Sequence, residues 1–485
     1  MKKAWLLLFL ILVLQFLLRV PFLYEPLNLD EATYVQISAR MSQGELLYRD
    51  MVDIKPPGLF YIFMLIGKDP FLMRLMTALF GLLTTFCVFL VGRKLADDRL
   101  GLAAAFLYAV FSGGVFIEGA QSNPETFMVL PLLLALLAFI SGPPFWAGLL
   151  SGIAFLIKQT AAFNFLALLL LALFAKKVRP VLTIILGFVI CPLILVGYYF
   201  SRGALAEFVN TLFFYSLGMV KPSLVSFLVK TALLFFFESS VLWILAIAGS
   251  VFIIRTKKDE KLWLLLIWSI FSLIGVYAAG YALGHYYIQV IPALCLLGAV
   301  AMVKWKEFDL AKSTQSIFLV LLTALGLFII ANEYEFYFKY TPDQIANERY
   351  GTPINSIARK IGLQIKERTK PGDRVFGISS VVAYSGRSSL TKYYLTVRGG
   401  RSEVWFLGRL VYAHDFNIKR DPELVQKVDE DFYRNLSDPR TRYWAVNLKD
   451  NYSPLDTNYR LQKYGYVLDN ELSDVPDNIL VFRRK

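Results

Sequence analysis

The chain has 485 residues, of which 56% are apolar or aromatic and only 18% charged, and its mean hydropathy is +0.53. Soluble proteins carry about 25% charged and about 45–50% apolar residues, so this composition excludes a disordered chain, a collagen-like fibre and a small disulfide scaffold, and argues against an ordinary cytosolic enzyme. Residues 1–334 hold 25 of the 50 Lys and Arg and 18 of the 37 Asp and Glu, which leaves 25 and 19 for the last 151 residues. Both parts are thus net basic (+7 and +6), a balance that marks cytoplasmic loops and anionic lipid rather than nucleic acid.

Apolar runs of about 20 residues are long enough to cross a bilayer. In chain order they predict spans near 4–24, 70–92, 100–117, 125–140, 145–157, 160–175, 180–200, 238–254, 262–280, 285–303 and 315–333. The break at Lys158-Gln159-Thr160 suits either a short connection or a re-entrant turn. The first run contains Arg19 and lacks a small-residue cleavage site, so it reads as an uncleaved span rather than a signal peptide. With the N-terminus inside, the short inner segments carry fifteen Lys and Arg and the longer outer segments eight. This bias sets the orientation. Eleven spans then leave the C-terminal region outside a cytoplasmic membrane.

Two outer stretches are long. Residues 25–69 contain a helical pattern at 30–43 and a turn at Lys55-Pro56-Pro57-Gly58, and residues 201–237 contain Phe-rich segments (208–220 and 224–237) that read as interfacial helices. The region from 335 onward alternates helical candidates (343–369, 403–413, 421–435, 457–463) with strand candidates (374–378, 443–448, 465–469, 478–483), the pattern of a small α/β domain. The expected architecture is therefore a polytopic α-helical membrane domain over 1–334 followed by an extracytoplasmic α/β domain over 335–485. Cys87, Cys191 and Cys295 lie in apolar runs without metal or redox spacing.

Ionisable groups near a membrane are costly and invite a functional question. In Asn28-Leu29-Asp30-Glu31-Ala32-Thr33-Tyr34, helical spacing puts Asp30, Thr33 and Tyr34 on one face, while Asn28 and Glu31 form a capping-box pattern that explains Glu31 locally. Lys55, held before a stiff Pro-Pro pair, is placed to meet a phosphate or to snorkel to the interface. Arg74 is a second candidate phosphate partner or an interfacial anchor. In the hairpin Glu118-Gly-Ala-Gln121-Ser-Asn123-Pro124-Glu125, Asn123 as N-cap and Pro124 at the first helical position account for Glu125 as helix-start chemistry. Glu118 and Glu125 alternatively join Asp30 in an acid–base or divalent-metal cluster. Helical spacing also places His285, Gln289 and Pro292 on one face, with Tyr286 beside them, at the outer mouth of a span. No Gly-rich phosphate loop, zinc spacing or nucleophile elbow occurs.

The order of these motifs resembles the membrane glycosyltransferases of the GT-C class, and most of all glycosyltransferase family 39, which includes protein O-mannosyltransferases and the lipid A aminoarabinose transferase. The resemblance covers about residues 1–305 and rests on Asp30-Glu31 with Tyr34, Lys55-Pro56-Pro57, Arg74, Gly92-Arg93-Lys94-Leu95, Pro124-Glu125, Lys158-Gln159-Thr160-Ala161 and His285-Tyr286-Tyr287 with Gln289 and Pro292. It implies a polyprenyl-phosphate-linked sugar as donor, a protein or glycolipid hydroxyl as acceptor, Asp30 as the catalytic acid and Lys55 against the carrier phosphate. The chain departs from the aminoarabinose transferase in having Thr33 in place of an Arg, and Ile54 in place of an acid directly before the lysine. The alternative to an enzyme is a transporter or flippase of lipid-linked sugars. Such a protein places its ionisable groups near the bilayer midplane, often within internal repeats. Here they cluster on the outer side and no repeat is apparent.

Overall fold

The computed structural model describes residues 2–174, 178–215, 225–256, 260–278, 283–305, 312–391, 395–398, 403–406, 409–412, 430–431, 433–447, 462, 464–473 and 479–485. The chain divides into two compact units. One comprises residues 1–23, 74–198 and 220–340, and the other residues 24–73, 199–219 and 341–485.

The first unit is helical, and one apolar helix falls on each predicted span. Among the described residues, four helices are long and apolar enough to cross a membrane: Lys2–Phe22, Pro70–Leu95, Pro124–Ser141 and Val178–Ser201. Thr231–Glu238 and Ser240–Thr256 pass the same test only together and are bent by 89°, the geometry of a broken span or a re-entrant loop. Shorter apolar helices run Pro144–Ile157, Ala161–Phe174, Lys261–Tyr277 and Ile291–Val303. Asp98–Phe111 and Lys312–Phe338 complete the described set. The Ile291–Val303 helix is buried on every side from Ile291 to Ala301, as befits a helix apolar all round. By contrast, Leu186, Leu193, Ile194 and Phe200 on Val178–Ser201 face outward, which suits contact with lipid. With the fold comparisons below, these helices make the chain a polytopic membrane protein.

Small residues let the helix backbones meet. A Cβ on Gly249 would lie 1.9 Å from the Leu297 carbonyl oxygen, and one on Gly148 would lie 1.9 Å from that of Ile184. Such close approaches, with the van der Waals contact and interhelical hydrogen bonds they permit, drive helix association where lipid removes the hydrophobic incentive. The first helix carries its own polar anchor. Arg19 donates to the Ser112 carbonyl (2.8 Å) and hydroxyl (3.0 Å), and Thr85 donates to the Gln15 amide oxygen at 2.5 Å. The three cysteines are buried and free.

The second unit joins the segment after the first helix to the C-terminal region. Its strands are β1 (Arg374–Gly377), β2 (Leu395–Arg398), β3 (Glu403–Phe406), β4 (Arg409–Tyr412), β5 (Thr441–Asn447), β6 (Tyr466–Leu468) and β7 (Ile479–Arg484). One sheet has the order β1-β5-β7-β6, parallel between β1 and β5 and antiparallel elsewhere. The amphipathic helix Ile354–Arg368 covers it with Ile361 and Ile365 against Val375, Val381, Ala445 and Val481. Gly377 sits at φ 113° with a would-be Cβ 1.9 Å from the Ala445 carbonyl oxygen, a place only glycine fits.

Three elements differ from expectation. Residues 403–413, read as a helix, contain β3 and β4 of an antiparallel three-stranded sheet. The β-branched and aromatic pairs Val404↔Val411 and Trp405↔Leu410 favour pleated pairing over the helical period. The 343–369 run is split into Pro342–Tyr350 and Ile354–Arg368 by Gly351, which is left-handed (φ 60°), and Pro353. His285 and Gln289 lie on a 3₁₀ turn, Gly284–Gln289, and the α-helix begins only at Ile291, with Pro292 in its first turn. The expected helix at 457–463 and most of that at 421–435 lie outside the described residues, as do residues 216–224 of the Phe-rich segments.

Candidate active site

In the second unit the capping box forms as the sequence indicates. The Asn28 side chain accepts from the Glu31 N–H at 2.9 Å, and the Glu31 carboxylate accepts from the Asn28 N–H at 3.0 Å. This starts the helix Leu29–Met41 and commits Glu31, fully buried, to the cap. Asp30, next to it, is only half-buried, and among the described residues it takes no hydrogen bond or ion pair. It acts electrostatically on Asp53, in the loop that carries Lys55.

That loop is built by Asp53. The Asp53 carboxylate accepts the Lys55 backbone N–H at 2.9 Å and stands 3.7 Å from the Lys55 ammonium. The Tyr48 hydroxyl donates to the Lys55 carbonyl at 2.8 Å, and Tyr48 itself is held at φ 73°. The ammonium lies 5.2 Å from the centre of the Tyr34 ring, a cation–π distance. Phe60 and Phe63 pack edge-on against that ring from the helix that Pro57 begins. Burial raises the Asp53 carboxyl above its ordinary range. Lys55 and the backbone N–H donors pull it back, and Asp30 pushes it up. Asp53 was not among the sequence-derived site residues, although an acid two positions before a lysine at a Pro-Pro turn was visible there.

The helix bearing Asp30 is fastened to the C-terminal region. Arg349 donates to both oxygens of Glu25 at 2.9 and 3.0 Å in a buried pair. Tyr384 accepts the Leu27 N–H at 2.8 Å, Asn28 donates to Tyr350 at 3.2 Å, and Gln36 donates to the Ser379 carbonyl at 2.9 Å. None of these long-range partners could be read from local pattern.

The first unit assembles a second polar group. Glu125 is buried at the start of Pro124–Ser141 and pairs through Oε1 with Lys158, whose ammonium sits 3.6 Å from the centre of the Tyr286 ring. His285 Nδ1 is 3.2 Å from Glu118 Oε2, which also accepts from the Asn123 amide at 3.2 Å. Glu118 holds this place at φ 52°, an uncommon backbone for a non-glycine residue. Lys158, the C-cap of the helix Pro144–Ile157, is thus the cation of a group of which the sequence named Glu118, Glu125, His285 and Tyr286 as site residues and Lys158 only as part of a motif. Gln289 is occupied by its neighbours: it accepts from the Thr160 hydroxyl at 3.0 Å and donates to the Thr160 carbonyl at 3.1 Å and to Asn164 at 2.7 Å. Arg74 is buried in its helix. Among the described residues, no three His, Cys, Asp or Glu side chains gather as a metal-binding group.

Residues 55–199 match the family model of dolichyl-phosphate-mannose-protein mannosyltransferases. The whole fold is similar to that of ArnT from Cupriavidus metallidurans. The structure bound to undecaprenyl phosphate gives a TM-score of 0.63 at 16% identity, and the apo structure gives 0.64 at 17%; each comparison covers 99% of this chain and 98% of the other. The archaeal oligosaccharyltransferase AglB from Archaeoglobus fulgidus, in complex with an inhibitory peptide and a dolichol-phosphate, gives 0.51 at 14% identity over 92% of this chain and 69% of that one. Sequence comparison with curated proteins gives no match. Family match and fold together bear out the resemblance to the GT-C glycosyltransferases read from the motifs.

Proposed function

We propose that the protein is a glycosyltransferase that moves a sugar from a polyprenyl-phosphate donor to an acceptor hydroxyl of a protein or glycolipid on the outer face of the cytoplasmic membrane. The observation that carries this reading is a half-exposed carboxylate, Asp30, one helical turn from Tyr34, over whose ring lies the ammonium of Lys55, itself aimed by Asp53. A sugar 1-phosphate ester is already activated, so the reaction needs a base on the acceptor and a cation on the departing phosphate. In this reading Asp30 takes the hydroxyl proton as the acceptor oxygen attacks the anomeric carbon. The bond from that carbon to the phosphate oxygen breaks, and Lys55 receives the negative charge. Relatives of this fold crystallise with undecaprenyl phosphate or dolichol-phosphate, which supports a lipid-phosphate donor.

The polar group of Glu118, Glu125, His285 and Tyr286 is assigned to substrate binding, with Arg74 as a further cation and Gln289 as its support. The reading includes eleven spans, an inner N-terminus, a transmembrane domain over 1–334 and an extracytoplasmic region over 335–485. The test is transfer in proteoliposomes from a lipid-linked sugar to an acceptor identified by mass spectrometry of surface glycans in a deletion strain. Asp30→Asn is expected to abolish transfer while the protein still inserts. Full transfer by that variant removes Asp30 from the mechanism, and acceptor-independent flux of the labelled lipid across the membrane favours a flippase instead.

A further inference from the structure

The first unit contains an apolar groove of about 1000 Å³ that neither polar group uses. Its long walls are the helices Ser240–Thr256, which contributes Trp243, Ile247, Ser250 and Ile254, and Glu260–Tyr277, which contributes Lys261 and Leu273, and the helices Pro124–Ser141, Ala161–Phe174 and Ile291–Val303 add apolar side chains. Three residues of chain connect the two helices, so Ile254 and Lys261 stand at the same end of the groove. At a 1.5 Å rise per residue, the wall from Trp243 to Ile254 is about 16 Å long and that from Lys261 to Leu273 about 18 Å. Half of a roughly 30 Å hydrocarbon core is about 15 Å. The groove is therefore one leaflet long.

Its two ends differ in charge. Among the described residues Lys261 is the only ionisable one in the lining, and the other polar groups are the hydroxyls of Ser250 and Ser269 and the indole N–H groups of Trp243 and Trp263. Arg255, exposed in the last turn of Ser240–Thr256, is a second cation at that end, and each cation near a membrane surface attracts anionic headgroups. A lysine can keep its stem on the apolar wall and its ammonium at the headgroup level.

We propose that this groove is a binding site for an anionic phospholipid of the leaflet on the Lys261 side, with an acyl chain laid along Trp243–Ile254 and the phosphate held by Lys261. One leaflet of length fits an acyl chain rather than a polyprenyl tail, which is long enough to cross both leaflets. The site does not depend on the catalytic reading.

The test uses the full-length protein in nanodiscs of POPC with and without POPG, and native mass spectrometry counts the lipids retained on release. The wild type is expected to retain POPG in preference to POPC. Removing the cation in Lys261→Gln or Lys261→Glu should lower POPG retention about fivefold. Filling the slot with Ser250→Trp should lower retention of both lipids. Lys94→Glu, a basic position outside the lining, should change neither. Equal retention of POPG and POPC by the wild type, or unchanged retention in both Lys261 variants, overturns the proposal. Displacement of POPG by undecaprenyl phosphate at equal concentration overturns it in favour of an isoprenoid occupant.

Discussion

The ammonium of Lys55 stands 3.7 Å from the Asp53 carboxylate and 5.2 Å from the centre of the Tyr34 ring, which fixes a cation on a loop that would otherwise let it swing. Tyr34→Phe keeps the aromatic face, so donor KM should stay within about twofold of wild type. Tyr34→Leu removes it and should raise donor KM about two- to fivefold, in line with ~0.5–1 kcal/mol for an accessible cation–π contact. Lys55→Met should cost far more in kcat/KM than either. Steady-state kinetics on the three variants in proteoliposomes check the order.

Asp53 carries a pH signature. Burial raises its carboxyl above the ordinary aspartate value of 3.8, so the folded state binds this proton more tightly than the unfolded chain does. Its contribution to stability is therefore full below pH 3.8 and is lost as pH rises through the raised value. Thermal unfolding in nanodiscs from about pH 3 upward should show this decline in the wild type and a flatter profile in Asp53→Asn, whose amide oxygen still accepts the Lys55 N–H. A steeper decline in the variant contradicts the assignment.

The buried pair of Glu125 and Lys158 is expected to show strong coupling. Removing one partner strands the other charge in a low-dielectric site, a loss of about 3–5 kcal/mol. Glu125→Leu and Lys158→Met should each lower the unfolding temperature in detergent, and the double variant should recover most of the loss. Additive losses in the double-mutant cycle would show that the two charges do not depend on each other.

Gly249 is a packing position. Gly249→Ala places a methyl 1.9 Å from the Leu297 carbonyl oxygen, which forces the helices Ser240–Thr256 and Ile291–Val303 apart. The expected cost is about 1–3 kcal/mol, as for other overpacked cores. Gly326→Ala, which meets nothing within 4 Å, is the control and should leave the unfolding temperature unchanged.

Much of the local structure was legible because it is set by neighbours in the chain. The Asn28–Glu31 cap, the Pro124 helix start and strands β1, β5, β6 and β7 each follow from a handful of adjacent residues. The expectations failed where a longer-range or finer preference prevailed. Residues 403–406 and 409–412 pair as strands because their β-branched and aromatic content favours pleated backbone over the helical period, and the 3₁₀ turn Gly284–Gln289 is not continued into the α-helix, which begins at Ile291 with Pro292 in its first turn. Asp53 escaped notice because its effect on Lys55 needs the chain to fold back over two residues, a geometry that spacing alone does not display.

By itself the sequence determined that this is a membrane protein, since it holds apolar runs long enough to cross a bilayer and only 18% charged residues. It also determined where the helices run, because burying backbone in lipid leaves helices as the economical solution for such runs. The tertiary structure alone decided which rare charges meet. It set Arg349 on Glu25, Lys158 on Glu125 and His285 on Glu118, and among the described residues it gave the Asp30 side chain no hydrogen bond or ion pair. Those pairings join residues 33 to 324 positions apart. A charge in a low-dielectric site takes whichever opposite charge the fold brings within about 4 Å, and chain distance has no bearing on that choice.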